Sequence, residues 1–281
     1  MSAGKDCVVV PLDGSLAGEA ALPYAALIAR AYALDVVAIH AVDQESLASA
    51  ADLARAAAWF DTYVGEAATR HDVKVSTSTV VLGSAASAIL DFAEGSRFIA
   101  IASHGRGGVR AALIGSVADN VVRGAEGPVV FVPCEGTSLA ADSDVILIAL
   151  DGSDRSLLGL EAGRELAAKL EANVALVRGW RFMAHYGGAL PYAYVTPELL
   201  EAPKDEAEGY LATVVRPGEE AFTPDGYIPD AILQTADRVG ARFIVVTASG
   251  KGVGKRLVLG STTNRLMHSS KRALLIVPVT S

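Results

Sequence analysis

Apolar runs of strand length alternate with amphipathic stretches of helix length along the chain. In the first half the pattern predicts strands near residues 6–12, 36–40, 73–81, 97–102 and 129–132, and helices near 17–34, 47–70, 85–94 and 114–123. The strands are rich in valine and isoleucine without polar alternation, which is typical of a parallel sheet covered by helices. Right-handed crossovers then predict an open, doubly wound sheet, and such sheets bind ligands at the carboxyl ends of their strands.

The second half repeats this order, and two short phrases are repeated with it. Leu12-Asp13-Gly14-Ser15 recurs at residues 150–153, and SHGRGGVRAALIGS (103–116) recurs as ASGKGVGKRLVLGS (248–261). The two offsets, 138 and 145 residues, are too long for a solenoid repeat and have the size of a domain. We therefore predict two tandem α/β domains, at residues 1–135 and 145–281.

One region of the second half is irregular. Six of the eleven prolines lie between residues 191 and 229. Because proline neither donates to a strand ladder nor continues a helix, this region is predicted to be mostly loop, with a helix over 203–215 and a short third strand.

The last strands of the two halves, 129–132 and 274–277, would form apolar sheet edges if they were left open. We expect them to pair with each other, which would make the chain an internal pseudo-dimer. Whether whole chains also form a homodimer is left open by the sequence.

Charge argues for a small anion as the ligand. The net charge of -8 disfavours nucleic acid as a partner, yet residues 242–272 hold seven Lys and Arg and no Asp or Glu, and residues 97–125 hold four Arg and the single Asp119. These stretches surround the repeated glycine-rich phrases. The alternative is that they are only solvated helix faces.

Other classes of protein are disfavoured by what the chain lacks. No apolar stretch is long enough to span a bilayer and the N-terminus lacks a signal-peptide pattern, so we expect a cytoplasmic protein without a membrane partner. Cys7 and Cys134 provide neither a disulfide framework nor metal-ligand spacing, and the five histidines show no ligand spacing. No metal site made of side chains is predicted.

The repeated glycine phrase has the chemistry of a phosphate site. A glycine after a buried strand allows an anion to approach main-chain N–H groups, and Gly115-Ser116 falls where the next helix begins. The free N–H groups, the helix dipole and the Ser116 hydroxyl would then all favour phosphate. At the end of the first strand, Asp13 offers a carboxylate to an adenine amino group, a ribose hydroxyl or a metal ion on the phosphates. Its alternative role is that of a turn or cap residue.

These phrases resemble the signature of the universal stress protein family, in which a glycine, two residues, a glycine, nine residues and Gly-Ser or Gly-Thr follow one another. The resemblance covers the whole chain as a tandem pair. It implies two Rossmann-like domains of the adenine nucleotide alpha hydrolase type, each an open parallel five-stranded sheet with helices on both faces. It also implies that ATP, with or without Mg²⁺, is the bound cofactor, as ATP is in many members, and that the protein has a role in stress response.

The resemblance assigns one set of nucleotide-binding residues to each half. In the first half they are Pro11, Leu12, Asp13 and Ala41 at the adenine and ribose end, and Ala102, Gly105, Arg106, Gly115, Ser116 and Val117 at the phosphate end. In the second half they are Ala149, Leu150, Asp151 and Gly179, and Thr247, Gly250, Lys251, Gly260, Ser261 and Thr262.

Both halves depart from the family signature at its first glycine. Ala102 adds one methyl group there, and Thr247 adds a larger β-branched side chain whose hydroxyl could instead bond a ribose or phosphate oxygen. We expect the first half to bind ATP more tightly, because a badly placed side chain costs more than screened surface charges contribute.

Two functions of different class fit these residues. The first is a nucleotide-binding stress or signalling protein with little or no turnover, at most a weak ATPase. The second is an ATP-hydrolysing or adenylyl-transferring enzyme of the same architecture. The first is favoured, because the Leu12–Ser15 loop lacks a pyrophosphate-binding pattern and no general base is evident near the glycine-rich loop. A flavin-binding module is weaker still, since nothing specific to the flavin ring is visible.

Overall fold

Strands and helices alternate strictly through the first repeat of the computed structural model. Its elements are β1 (Cys7–Pro11), α1 (Ala21–Tyr32), β2 (Asp35–Val42), α2 (Ala50–His71), β3 (Thr77–Leu82), α3 (Ala85–Ala93), β4 (Phe98–Ala102), α4 (Ser116–Gly124) and β5 (Val129–Val132). A single 3-10 turn, Gly18–Ala20, precedes α1.

The second repeat has the same order. Its elements are β6 (Val145–Ala149), α5 (Ser156–Leu170), β7 (Asn173–Val177), α6 (Pro197–Val214), β8 (Glu220–Phe222), α7 (Ile228–Arg238), β9 (Phe243–Ala248), α8 (Ser261–Ser269) and β10 (Ala273–Pro278). The predicted α/β class with two tandem Rossmann-like repeats is confirmed, and the third strand of this repeat has the predicted short length.

The structure describes residues 3–43, 45, 49–103, 114–134, 144–181, 197–248 and 259–279, with the backbone alone at 197–200. The chain divides into two units, Met1–Ala140 with Thr247–Ser281, and Ala141–Val246. This division differs from the sequence repeat, because α8 and β10 belong to the first unit. None of the described helices is long and apolar enough to cross a membrane.

The first unit contains a parallel sheet in the order β3-β2-β1-β4-β5. Its centre is fully covered, since Val8, Val9, Val10 and Ala100 have no exposed surface. The chain runs outward from β1 to β3 and then returns to β4 on the other side of β1. The strand order therefore reverses between β1 and β4, and their carboxyl ends lie at the same edge.

The strand β10 completes the first unit by pairing antiparallel with β5. Leu274 lies opposite Phe131, Leu275 opposite Val130 and Ile276 opposite Val129. The predicted pairing of the two terminal strands is confirmed, and it covers the apolar edge of β5.

The second unit contains strands in the order β9-β6-β7-β8, with β6 parallel to both β7 and β9. The Val145–Ala149 strand pairs along its whole length with β7, and Ile146, Leu147 and Ile148 are fully buried. This unit therefore repeats the β1-centred arrangement of the first.

Several predicted boundaries are wrong, each for a local reason. The first helix starts at Ala21 rather than residue 17, because the 3-10 turn comes first. The second starts at Ala50 rather than residue 47, where the Ser49 side chain accepts the Asp52 N–H. The strand β3 starts at Thr77 rather than residue 73, because α2 ends on Asp72 in the left-handed conformation (φ 51°).

The predicted helix over 203–215 is also displaced. The helix α6 starts at Pro197 and carries Pro203 inside it. The predicted start is Pro203, and proline is well tolerated at a first helical position because it loses no intrahelical bond there. The helix instead has a proline at its true first position and tolerates the second proline within its first two turns.

Candidate functional site

The candidate site of the first repeat begins at a tight turn after β1. The Asp13 Oδ1 accepts hydrogen bonds from the Ser15 backbone N–H (3.1 Å) and from the Ser15 hydroxyl (2.6 Å). Gly14 between them has φ 82°, which favours glycine. The Ser15 hydroxyl oxygen in turn accepts the Gly18 N–H (3.1 Å). Asp13 therefore holds the turn, and its carboxylate is fixed at the edge of the sheet where the strand order reverses.

A side chain of helix α2 forms a hydrogen bond to this turn. The Tyr63 hydroxyl donates to the Ser15 carbonyl oxygen (3.4 Å). Burial raises the pKa of Tyr63 above its usual range, and the carboxylates of Glu19 and Asp13 raise it further. The phenol therefore stays protonated and acts as a donor at neutral pH.

A buried carboxylate lies directly behind the turn. Glu19 is 1% exposed and accepts hydrogen bonds from Arg70 Nε (3.1 Å) and His71 Nε2 (2.9 Å), at the end of α2. A buried carboxylate is tolerated only with such partners. Glu19 thus connects the 3-10 turn before α1 to the end of α2, and its own N–H donates to the carbonyl oxygen of Ser15 in the Asp13 turn (3.3 Å).

The end of β2 forms the next part of the site. Ala41 lies there half-buried, whereas the Leu12 side chain is 3% exposed and belongs to the core. The Leu12 carbonyl oxygen accepts a hydrogen bond from His40 Nδ1 (2.7 Å). Trp59 is 41% exposed and its ring meets the His40 ring edge-on at 5.1 Å. Pro11 and Leu12 therefore belong to the strand end and the core, while Asp13 and Ala41 lie at the carboxyl edge of the sheet.

The predicted phosphate end of the site lies at the start of α4. Gly115 is the N-cap residue, and Ser116, the first helical residue, is exposed. The first turn of a helix has N–H groups without intrahelical partners and carries the positive end of the dipole. One expectation is corrected, since the Gly115 N–H is not free and donates to the Ser103 carbonyl oxygen (2.8 Å). The available donors begin at Ser116 and Val117.

Ser103 anchors this start of α4 to the sheet. Besides accepting from Gly115, it donates its N–H to Val132 O (2.8 Å), and its hydroxyl oxygen accepts the Cys134 N–H (3.1 Å). It is 5% exposed, and Ala102 beside it is equally buried. Of the predicted phosphate-end residues in this repeat, Gly105 and Arg106 lie outside the described residues.

A groove of about 680 Å³ runs between α3 and α4 and reaches Ser116, Val117 and Asn120. Its lining also carries the carboxylates of Asp91, Glu94 and Glu126. Carboxylates repel phosphate, so the groove provides space beside the start of α4 and not a second phosphate site.

The second repeat builds the same turn after β6. The Asp151 Oδ1 accepts the Ser153 N–H (2.9 Å) and the Ser153 hydroxyl (2.6 Å), and Gly152 has φ 85°. Burial alone would raise the pKa of Asp151, but the hydrogen bonds from Ser153 and Ser156 lower it below its usual range. Ala149 ends β6 and Leu150 is buried, so they correspond to Pro11 and Leu12.

A cationic side chain distinguishes this turn from the first. Arg178 lies so close that a β-carbon at Gly152 would be 2.8 Å from its Cζ. Its guanidinium donates to Glu206 Oε1 (2.7 Å) and lies 4.7 Å from the centre of the Tyr210 ring. Arg178 precedes Gly179 as His40 precedes Ala41, so the two repeats differ in charge at equivalent positions.

The remaining residues of the second set lie in the first unit, so the set is divided between the two units. Gly260 is the N-cap residue of α8, and Ser261 and Thr262 are its first residues. The Thr247 carbonyl oxygen accepts a hydrogen bond from the Thr263 hydroxyl (3.2 Å). Gly250 and Lys251 lie outside the described residues. Within the described ranges, no three His, Cys, Asp or Glu side chains are placed to hold a metal ion.

Sequence reasoning missed the residues that fix the site rather than line it. Ser103 stands inside the repeated phrase but was assigned no role, and its equivalent in the second half is Ala248. Neither Tyr63 nor Arg178 is among the predicted site residues. A comparison of the two repeats position by position would have singled out Ser103 and Arg178, because both change in character between the repeats.

Comparison with known proteins gives consistent matches. A model of the universal stress protein family matches residues 6–133 and 143–278. A universal stress protein of Mycobacterium tuberculosis is 24% identical over 304 residues, covering 96% of each chain. For another from the same organism, 25% identical over 194 residues, the alignment covers 64% of this chain and only 58% of that protein.

Solved structures match over nearly the whole length. A universal stress protein from Archaeoglobus fulgidus superposes with a TM-score of 0.69 at 18% identity, covering 98% of both chains. A second one, described as a putative universal stress protein from Pseudomonas aeruginosa, has a TM-score of 0.65 at 17% identity and covers 98% of this chain and 93% of that one. At these identities the structures establish the fold alone.

Proposed function

Because the chain belongs to the universal stress protein family, with two family repeats in tandem, we propose that it binds adenine nucleotide, ATP above all. It acts in the cytoplasm in stress response or signalling, as a binding protein that ATP biases toward one state, with little or no turnover. The first repeat carries the main site.

One observation carries this proposal. The Asp13 turn follows β1, the Gly115-Ser116 helix start follows β4, and β1 and β4 are parallel neighbours at the point where the strand order reverses. A carboxylate and an anion-binding helix start at one edge are the two groups that a nucleotide needs.

The chemistry of each group suggests its partner. Main-chain N–H groups of Ser116 and Val117, with the Ser116 hydroxyl, would hold phosphate oxygens at the positive end of α4. The Asp13 carboxylate would accept from a ribose hydroxyl or the adenine amino group. It also has the oxygen ligands that Mg²⁺ prefers, so Mg²⁺ bound to the phosphates would fit there.

The second repeat is proposed as the weaker site. Its Asp151 turn has the same geometry, but Arg178 is packed against Gly152 and paired with Glu206 beside it. A ligand entering beside Asp151 has to accommodate this ion pair. The first repeat has His40 in place of Arg178 at the equivalent position, and this difference favours the first repeat.

A single preparation tests the identity of the ligand. Protein purified without added nucleotide is denatured, and the released small molecules are identified by mass spectrometry and quantified per chain. We expect ATP or ADP at close to one molecule per chain. The absence of any nucleotide, together with no heat on titration with ATP, would overturn the proposal.

The rate of ATP hydrolysis distinguishes a nucleotide-binding protein from an enzyme. Phosphate release is followed with saturating ATP and Mg²⁺ for the wild type and for Gly115→Asp, which cannot hold phosphate at the α4 start. We expect the same slow rate in both. A rate typical of enzymes, about 1 s⁻¹ or more, that disappears in Gly115→Asp would favour the ATP-hydrolysing alternative.

A further inference from the structure

One side chain joins the two helices that begin at the candidate phosphate sites. Arg123, near the end of α4, donates from Nε to Asp119 Oδ2 (2.9 Å) and from NH2 to Asn264 Oδ1 of α8 (3.4 Å). Arg123 and Asp119 are 30% and 34% exposed, so the pair is partly shielded from water. All three residues lie in the first unit.

Both ends of this bridge reach the glycine that starts a helix. The Asp119 N–H donates to Gly115 O (3.0 Å), and the Asn264 N–H donates to Gly260 O (3.0 Å). Each of these is the first backbone bond of its helix, so Asp119 and Asn264 occupy equivalent positions four residues after the N-cap glycine, and Arg123 bonds to the side chains at both positions. The antiparallel pair of β5 and β10 supports this bridge, because these strands directly follow α4 and α8.

The two ends of the bridge differ in charge. Asp119 is the only acidic residue of the α4 region, whereas its counterpart Asn264 is neutral. Phosphate at the start of α4 would bring negative charge to within about a turn of Asp119, roughly 5 Å along the helix axis. Arg123 would then be drawn more strongly toward α4, and its longer bond to Asn264 would weaken.

We propose that Arg123 couples the two sites, so that an anion bound at the start of α4 lowers the affinity for an anion at the start of α8. The second helix loses a cation near its first turn when Arg123 shifts, which makes that turn less favourable for phosphate. Coupling between sites ranges from about 5-fold to 150-fold, and a single bridging side chain belongs at the lower end. The inference rests on the proposed function for the identity of the anion.

Two substitutions of one residue test the coupling. Gly115 has φ -62° and ψ 141°, a conformation open to any side chain. Gly115→Leu blocks the first site without charge, and Gly115→Asp blocks it with a carboxylate that stands for bound phosphate. We expect ATP to bind the second site about fivefold more weakly in Gly115→Asp than in Gly115→Leu, as measured by calorimetry. With Arg123→Met added, the two affinities should be equal.

Hydrogen–deuterium exchange gives a readout that needs no nucleotide. Backbone amides of 261–269 should exchange faster in Gly115→Asp than in Gly115→Leu, and this difference should vanish with Arg123→Met. Arg55→Met is the matched control, because Arg55 pairs with Asp52 within α2, as Arg123 does with Asp119 within α4. It should leave the difference intact.

The outcomes separate this inference from the proposed function. Failure of ATP to bind the wild type would overturn the function, while the exchange experiment would still test the bridge. Equal exchange in both Gly115 variants, or a difference that persists with Arg123→Met, would overturn the coupling. If the difference in exchange persisted with Arg123→Met, the charge at residue 115 would act through space and not through Arg123.

Discussion

Replacing Gly18 by alanine tests whether the Asp13 turn is part of the nucleotide site. A β-carbon at Gly18 would lie 2.9 Å from Asp13 Oδ1 and 3.4 Å from Ser15 Oγ. A carbon and an oxygen do not normally approach so closely, so the carboxylate must move. This movement loosens the hydrogen bonds of 3.1 and 2.6 Å that Asp13 accepts from Ser15.

The expected changes in stability and affinity differ in size. Weakening two hydrogen bonds to a carboxylate costs about 1–2 kcal/mol, and alanine recovers up to about 1 kcal/mol relative to glycine. The unfolding free energy should therefore fall by about 1 kcal/mol or less. Loss of one carboxylate contact to the nucleotide, about 1.4 kcal/mol, should weaken ATP binding about tenfold.

Urea unfolding and calorimetric titration with ATP measure both quantities. Gly65→Ala is the matched control, since Gly65 lies exposed inside α2 and, apart from its own chain neighbours and helix backbone, no heavy atom of the described residues is within 4 Å of its would-be β-carbon. Gly65→Ala should raise the unfolding free energy by about 0.5–1 kcal/mol and leave the affinity for ATP unchanged. A folded Gly18→Ala protein with wild-type affinity would refute the role of the turn.

Three further predictions concern stability and assembly. Gly163→Ala in α5 should lower the unfolding free energy by about 1–2 kcal/mol, because its β-carbon would lie 2.6 Å from an isoleucine of β6. Gly209→Ala in α6, where the described residues leave open space for a β-carbon, should raise the unfolding free energy by about 0.5–1 kcal/mol. Equal changes for the two variants in urea unfolding would contradict the packing at Gly163. Burial alone would raise the pKa of Glu219, but hydrogen bonds from Arg164 and from a backbone N–H lower it. Its stabilisation is therefore present above pH about 4.3 and is lost as the pH falls through the lowered value. Glu219→Gln should cost about 1–3 kcal/mol at pH 7 and less at low pH, and a cost independent of pH would refute this. Finally, a fragment of residues 1–135 should dimerise or precipitate in analytical ultracentrifugation, since it exposes the β5 edge; a stable monomer would contradict it.

Much of the fold follows from periodicity alone. Valine and isoleucine runs without alternation predict buried parallel strands, and β5 was predicted with the bounds that the structure gives. The partner of its free edge was also predictable, because two apolar edges in one chain need covering. Helix starts were less predictable, since a 3-10 turn before α1 and an interior proline in α6 depend on contacts that no short window contains.

The candidate site was likewise predictable only in part. The positions of the Asp13 turn and of the Gly115 helix start were predictable from a repeated phrase with a physical purpose. Asp13 has the turn role that was left open as the alternative, and the bond from the Gly115 N–H to Ser103 was not predicted. Their supports come from elsewhere in the chain, as with Tyr63 and Ser15, 48 residues apart, or Arg123 and Asn264, 141 apart. Only the folded structure brings such pairs together.

Titration of ATP into Gly115→Asp beside the wild type tests the central claim most directly. The new carboxylate would occupy the place of a phosphate at the start of α4, and Gly260→Asp makes the same change at the start of α8. We expect Gly115→Asp to lose high-affinity binding while its circular dichroism and unfolding curve remain those of a folded protein. Gly260→Asp should bind ATP no more than about fivefold more weakly than the wild type, the factor that the reciprocal coupling allows. Wild-type affinity in folded Gly115→Asp, or loss of binding in Gly260→Asp alone, would contradict the account.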